Sequence, residues 1–588
     1  MTNASEILRR RVYVLMIVVA AAGIAGRVLS VARVVEPALS RPDPGRAARA
    51  ILLPFASDNA LEALALTGAG WDTWGGLDPD EHRGVWSRTR PEPMPTLGDN
   101  DRSRWDTVRA LVDQGTYAIG YRDSLPHTGP KTGAILLPLA SSNGLELLNL
   151  TAASQTTLDQ LQATGDYFDH GIVTEDGWRT IDKVLRPEAP GQTRNFYSSK
   201  PPLLVTLLAG EYWLLKKTFG WSITEQRWWV VRIILFTVNW LPFVIYLALL
   251  ARLVDRLGFT DWGRLFVVAA ACFATFLTTF ATTLNNHTLA ACCALFALYP
   301  ALKILEEDKV TKNVPPDGEV SGRLLSPCHL VTLSPCHFLL AGFFAGFTAC
   351  TELPAASFAA ALGLLLLWKA PGRTLAFFVP AAAVPVAGFF LTNYLAIGQL
   401  KPAYSEFGGP WYEYPGTFWL GQPGKPHYGI DWAREKESRV VYGFHLVLGH
   451  HGFFSLTPIF LLGLGSILYG LWHCKRYVRS FARGSALPVI LSLTTANTVV
   501  VLGFYIGIVS SRNYGGWTSG PRWLFWLTPF WLLSMVPAAD WLSQRRWGRC
   551  LAYGLFALSM ISVTYPAWNP WRHPWIYDFM EARGWLPY

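Results

Sequence analysis

Charge is scarce in this chain. Of its 588 residues, 15% are Asp, Glu, Lys or Arg, against about 25% in an average soluble domain. With 51% of residues hydrophobic, that scarcity excludes an ordinary water-soluble globular protein. Cysteine is sparse too, and its placement excludes a disulfide scaffold. Cys272, Cys292, Cys293 and Cys350 lie in apolar stretches, Cys474 and Cys550 beside basic loops, and Cys328 and Cys336 in a short repeat; none falls in the long polar loops. A basic-aromatic nucleic-acid module is also missing. The net charge of +9 comes from cations that flank apolar runs, which is the signature of membrane orientation rather than of a polyanionic partner.

Aromatic residues and long apolar runs are plentiful. Trp 26, Phe 33 and Tyr 22 suit a chain with many helix ends at the lipid headgroups. About 20 apolar residues cross a bilayer. On that measure eleven spans are predicted, at 12–31, 229–251, 265–284, 288–305, 338–351, 354–368, 374–397, 452–472, 486–508, 523–542 and 550–566. The first follows Arg9-Arg10-Arg11 and reads as a retained anchor, because the chain continues as a polytopic protein. Glu352 and Pro354 interrupt the run from 338 to 368 and predict two short helices with a turn between them. The stretch 201–219 is ambiguous by composition. If it lies along the outer surface, the basic loops 252–264, 369–373, 475–483 and 545–549 all fall inside, so a juxtamembrane helix is predicted there.

The resulting division is an N-terminus with one span (1–31), an outer loop (32–228), spans (229–397), a second outer loop (398–449), spans (450–566) and an outer tail (567–588). The first loop carries two inserts, at about 41–95 and 122–171. Ala50-Ile-Leu-Leu-Pro54 through Thr67 recurs as Ala134-Ile-Leu-Leu-Pro138 through Thr151, and two copies read as a duplicated insertion rather than a solenoid. Leu325-Ser-Pro-Cys-His329 recurs as Leu333-Ser-Pro-Cys-His337, a spacing that matches no zinc module.

The decisive segment is Gly98-Asp-Asn-Asp-Arg-Ser-Arg-Trp105. Its acids lie outside the predicted spans, where a lipid-linked substrate meets water. Helical spacing of the apolar residues that follow, with Gly115 ending the run, places Asp101 near an N-cap. Trp105 and Leu111 are expected in the membrane interface. Asp99 and Asp101, two residues apart, could share a divalent metal. Further on, Phe196-Tyr-Ser-Ser-Lys200-Pro-Pro-Leu203 puts a cation at the mouth of an apolar helix, suited to a phosphate. Asn513-Tyr-Gly-Gly-Trp517-Thr-Ser-Gly-Pro-Arg522 is a Gly-rich turn ending in a second phosphate-competent cation. Asn285-Asn286-His287 caps a span, with Asn286 and His287 as candidate substrate contacts. The 398–449 loop offers Tyr404, Glu406, Trp411, Glu413, Trp419, Asp431, Glu435 and Glu437, a mixture of aromatics and carboxylates suited to sugar; Trp411 and Glu413 are the candidates. His450-His451 has the character of a metal pair without an evident partner in the sequence.

These motifs, in this order, resemble the GT-C fold membrane glycosyltransferases, closest to the protein O-mannosyltransferase and lipid A aminoarabinose transferase type. Asp101 through Gly115 is similar to the juxtamembrane helix that an Asp opens after the first span in that family. Ser199-Lys200-Pro-Pro-Leu203 resembles its Lys-Pro element, and Gly515-Gly-Trp517 through Gly520-Pro-Arg522 its outer turn. The chain departs in having Arg102 where the family has an acid after the Asp, and Asn285-Asn286-His287 where relatives carry an acid. The resemblance implies an all-α polytopic bundle and transfer of a hexosyl or pentosyl group, with inversion, from a polyprenyl-phosphate donor. The acceptor would be a hydroxyl on a lipid, glycan or protein at the outer face of a bacterial inner membrane. It implies Asp101 as general base, with Asp99 second, and Lys200, Arg522 and Arg104 around the carrier phosphate. No cofactor is expected; a divalent metal at Asp99 and Asp101 stays open, and no nucleic acid is implied. The rival readings are another lipid-linked glycan transferase or ligase, and a lipid or solute transporter.

Overall fold

The computed structural model describes residues 2–30, 50–54, 96–124, 134–138, 167–174, 178, 180–187, 194–312, 334–414, 417–419, 437–482, 485–509 and 512–586. The chain forms two units. The larger is built from residues 1–31, 201–401 and 421–588, the smaller from residues 32–200 and 402–420.

The larger unit is a helical bundle. Among the described residues six helices are long and apolar enough to cross a membrane: Ala4–Ser30, Arg227–Leu257, Asp261–Phe280, Asn286–Glu306, Pro371–Ile397 and Ala486–Ile508. Pro335–Thr351, Leu353–Lys369 and Phe460–Trp472 are shorter apolar helices, at the positions of three further predicted spans. The predicted span 523–542 is broken instead into Arg522–Leu527, Thr528–Ser534 and Val536–Ser543, and 550–564 of the predicted span 550–566 lies in the helix Arg546–Thr564. The ambiguous stretch near 201 is one helix, Pro202–Phe219, opened by its proline and closed by Gly220 in the left-handed conformation. Apolar side chains face outward along these helices, as with Leu15 (63% exposed), Leu364 (66%) and Val499 (65%). Such surface is tolerable only against lipid or a partner.

Polar groups fix the bundle at its helix ends. Arg9 bonds Asp255 at 3.0 Å and also pairs with Asp261, while the Tyr13 hydroxyl donates to Asp255 at 2.8 Å. Asp540, buried, accepts the N–H groups of Phe259 and Thr260 at 2.8 and 2.9 Å, satisfying donors at the start of the Asp261 helix. Within the bundle, Gly342 and Gly346 sit one turn apart and face the helix Pro371–Ile397. A Cβ on Gly346 would lie 2.5 Å from the Ala382 carbonyl oxygen, and one on Gly342 would overlap the Phe378 backbone. Small residues four apart allow this close helix contact.

The smaller unit corrects the all-α expectation. It contains an antiparallel four-stranded sheet built from β2 (Ala118–Ser124), β4 (Tyr167–His170), β5 (Lys183–Leu185) and β6 (Arg194–Ser198), in the order β4-β2-β6-β5. Three to seven residues per strand give too short a period-two pattern to register in the sequence. The duplicated segments, β1 (Ala50–Pro54) and β3 (Ala134–Pro138), pair antiparallel with each other, Leu52 opposite Leu136. Residues 55–95 and 139–166 of the two inserts, the first Cys-His repeat, Asp431 and Glu435 lie outside the described residues.

The glycine contact makes the first prediction. Gly342→Leu will force the two helices apart and destabilise the bundle by about 1–3 kcal/mol, read as a lower thermal unfolding midpoint in detergent. Gly465→Leu, where a Cβ meets nothing within 4 Å, will leave the midpoint unchanged or slightly raised.

Candidate active site

The Asp99–Arg109 helix starts from Gly98 in an extended conformation and runs on as a π-turn, Ala110–Gln114, to Gly115 at φ 68°. Gly115 thus ends the helix in the left-handed region, where glycine carries no Cβ penalty. Asp101 is not the N-cap; Gly98 is. Asp101 stands at the third helical position and reaches back. Its two carboxylate oxygens accept the N–H groups of Leu97 at 3.0 Å and Gly98 at 2.8 Å, the acidic half of a capping box. It is 1% exposed. Both oxygens are thus engaged by backbone donors at the helix start. Trp105 and Val108 are fully buried, so Trp105 belongs to the core of the unit and not to the membrane interface.

Asp99 is placed differently. Its carboxylate accepts the Ile181 N–H at 3.0 Å, its carbonyl accepts the Thr180 hydroxyl at 2.8 Å, and it keeps partial exposure. Burial raises its proton affinity above the ordinary Asp range. Arg102 and the Ile181 amide oppose that shift, and the charges of Asp182 and Asp101 add to it.

Asp182, which no motif marks in the sequence, organises the surroundings. Its backbone carbonyl accepts the Ser103 hydroxyl at 2.6 Å and the Ser199 N–H at 3.0 Å. Its carboxylate accepts the Lys200 ammonium at 2.9 Å, in a pair 9% and 18% exposed. The Ser103 and Ser198 hydroxyls are hydrogen-bonded at 2.6 Å, and the Ser198 hydroxyl accepts the Lys200 N–H at 3.1 Å. Asp99, Asp182 and Lys200 therefore occupy one neighbourhood of the smaller unit. Arg104 holds its own helix: it donates to the Asn100 carbonyl at 2.8 Å and bonds the Asn100 side chain.

Trp411 is buried, edge-on to Tyr197 at 6.4 Å, and its carbonyl accepts the Leu185 N–H at 3.0 Å. It extends the sheet edge, and its indole face is not open to a sugar. Glu413 is exposed. Tyr414 sits with Phe196 around the Arg122 guanidinium, at 5.2 and 5.4 Å.

The remaining candidates belong to the larger unit. Asn286 donates to the Thr351 carbonyl at 2.8 Å and to Glu352 at 2.6 Å, and His287 pairs with the same Glu352 oxygen. His287 and Glu352 are both buried. Glu352 occupies the break between Pro335–Thr351 and Leu353–Ala355, where its backbone is extended. The sequence marks it only as an interruption. Arg522 opens the turn Arg522–Leu527, donates to the Gly515 carbonyl at 2.9 Å and lies 5.2 Å over Trp571. Trp571 in turn donates to Thr283 at 3.1 Å, and Phe525 of the same turn meets the His287 ring at 6.3 Å. Gly515 and Gly516, at φ 93° and 72°, let the loop bend back over Arg522.

No family model and no curated protein matches the chain. Among solved structures it is similar to the Archaeoglobus fulgidus oligosaccharyltransferase. For the complex with Zn and sulfate the identity is 13%, covering 67% of this chain and 48% of that one, at a TM-score of 0.32. For the apo form the figures are 13%, 86%, 55% and 0.34. For the archaeal oligosaccharyltransferase AglB with an inhibitory peptide and a dolichol-phosphate they are 12%, 67%, 51% and 0.32. The chain spans about half the length of these structures. At such TM-scores the likeness carries no argument.

The two acids separate by stability. Asp101→Ala will lower the thermal midpoint through loss of the cap, by about 1 kcal/mol. Asp99 carries a raised pKa, so its ionised form opposes folding; its contribution is full at low pH and is lost as pH rises through its folded-state titration. Asp99→Asn will therefore be as stable as wild type in acid and at least as stable at neutral pH, measured as midpoint against pH.

Proposed function

We propose that this chain is a membrane glycosyltransferase of the GT-C type. It moves a sugar from a polyprenyl-phosphate donor to an acceptor hydroxyl of a lipid, glycan or protein, at the outer face of a bacterial inner membrane. The apolar helices support the membrane setting, and the motif order supports the family. The observation that carries the reading is a carboxylate of raised proton affinity, Asp99, beside Asp182, which in turn pairs with the partly buried ammonium of Lys200.

The chemistry needs those two groups. The acceptor oxygen attacks the anomeric carbon as its proton passes to the Asp99 carboxylate. The bond from that carbon to the phosphate oxygen breaks, and the phosphate leaves with the electron pair and growing negative charge. Lys200 meets that charge with an ammonium that the Asp182 carboxylate positions. Attack opposite the departing phosphate inverts the anomeric centre. Asp101 keeps Asp99 in place by holding the loop that precedes the helix. Only the part of the Lys200 interaction that grows between donor and transition state speeds transfer, since the phosphate is less charged in the donor than on departure.

A second reading, lipid or solute transport, rests on one observation. Glu352 lies buried in a broken helix with Asn286 and His287 upon it, and transporters place binding groups on such broken helices.

The test is sugar transfer from a panel of polyprenyl-phosphate sugars in membranes bearing wild type, Asp99→Asn or Lys200→Gln. The account expects transfer by wild type and a loss of about 100-fold or more in Asp99→Asn. Transfer that survives Asp99→Asn would remove Asp99 as the base. No transfer with any donor, together with solute uptake into proteoliposomes that Glu352→Gln abolishes, would replace the enzyme by a transporter.

A further inference from the structure

The larger unit holds a cluster of imidazoles that the chemistry above does not use. The helix Arg439–Val447 begins after Ser438, whose hydroxyl accepts the Val441 N–H at 3.3 Å, and carries His445 in its last turn. The chain then turns through Gly449 and Gly452, which places His450 and His451 back against that helix. The His445 and His450 rings stack at 4.0 Å with 19° between planes. The Nδ1 atoms of His450 and His451 lie 2.6 Å apart. His450 and His451 are 0% exposed. Glu437, just before the helix and also buried, accepts the Tyr514 hydroxyl. One ligand-type atom from each of Glu437, His445 and His450 lies within 4.8 Å of the others.

Several independent features make this arrangement a binding site rather than ordinary packing. Imidazoles are rarely gathered three together without water or charge, because each carries a ring nitrogen that must be satisfied. The cluster also sits beside a strained residue: Tyr514, at φ 55°, is the one non-glycine described in the left-handed region. Such strain persists only where surrounding contacts hold it, and it concentrates at functional sites. Tyr514 stacks on His451 at 5.3 Å and meets His450 edge-on at 4.7 Å, and its hydroxyl fixes Glu437. The carboxylate is thereby oriented by an outer partner, as metal-bound carboxylates are.

We propose that Glu437, His445 and His450 bind a divalent transition-metal ion of the zinc class. Two imidazole nitrogens and one carboxylate oxygen, with no thiolate, suit zinc and disfavour magnesium and calcium. Three atoms 4.8 Å apart are each at most roughly 2.8 Å from their common centre, and Zn–N and Zn–O bonds are about 2.0–2.2 Å. An inward shift of at most about 0.6–0.8 Å closes the set, within reach of side-chain torsions. Three protein ligands leave a fourth position for water or an outside ligand. The ion would lock the Arg439–Val447 helix to the Gly449–Gly452 turn and to Tyr514. This inference stands apart from the transferase reading: it concerns different residues, and its test reads metal rather than activity.

The experiment uses the full chain, purified in detergent with any histidine tag removed, stripped with a chelator and re-equilibrated with Zn2+. Metal content is measured by inductively coupled plasma mass spectrometry. Wild type will hold one zinc per chain. Glu437→Gln, which keeps a partner for the Tyr514 hydroxyl, and His445→Gln will each weaken retention by more than the roughly 10–100-fold that loss of an outer partner costs. His473→Gln, at an exposed histidine, will retain it fully. X-ray absorption on wild type alone covers the case in which a variant fails to fold: it will show two imidazoles and light-atom scatterers around zinc. No zinc above the stripped background, retention in both His445→Gln and Glu437→Gln, or sulfur at the metal from the exposed cysteines Cys336, Cys474 and Cys550 would each overturn the proposal.

Discussion

The Asp182–Lys200 ion pair is the contact on which the smaller unit depends. The backbone of Asp182 ties Ser103 of the helix to Ser199 beyond β6, and its carboxylate neutralises the ammonium at the chain's exit from the unit. Both groups are mostly buried. Removing one partner of such a pair leaves an uncompensated charge and costs about 3–5 kcal/mol, so neither residue is free to drift independently. The same constraint gives the site its chemical character. It sets a cation held by one carboxylate beside a second carboxylate of raised proton affinity, the arrangement on which the proposed transfer rests. Asp101 supports it from behind, through backbone donors that would otherwise be left unmet at the helix start.

In the larger unit the same physics operates under a stricter rule. Inside an apolar bundle every polar group needs a partner, because hydrocarbon offers none. Asn239 donates to the carbonyls of Ala281 and Thr283, and Asn285 donates to those of Phe280 and Thr283 while its side-chain oxygen accepts the Thr288 N–H. These bonds close the break before the Asn286 helix. Glu352 closes the other break, accepting from Asn286 and pairing with His287. Two helix interruptions thus satisfy each other, which explains why polar residues recur at positions where the apolar runs stop.

Much of this was legible in the sequence, and the failures share a cause. The apolar runs at 229–251, 265–284, 288–305, 374–397 and 486–508 announce themselves, because twenty residues of one character are a strong signal. So does Gly115, since only one residue type ends a helix so cheaply. Asp101 stands at the third helical position and not at the N-cap, which the sequence hides because an acid in a first helical turn looks the same as a cap or as a capping-box partner; only the direction of its hydrogen bonds separates them. Asp182 left no trace, because its importance comes from Ser103 and Lys200, 79 and 18 residues away. Glu352 read as a helix breaker and Trp411 as a sugar platform, since sequence shows neither what a side chain faces nor whether its face is covered. The His450-His451 pair lacked a partner on paper, because His445 meets it only after the chain turns back through Gly449.

The central claim is that Lys200 is a phosphate-binding cation held ready by Asp182. Native mass spectrometry of the purified chain with added polyprenyl phosphate tests it most directly. The account predicts a retained lipid phosphate on wild type that disappears in Lys200→Gln and persists in Lys183→Gln, a neighbouring cation that lies over the Phe196 ring instead. Equal retention by Lys200→Gln and wild type would contradict it.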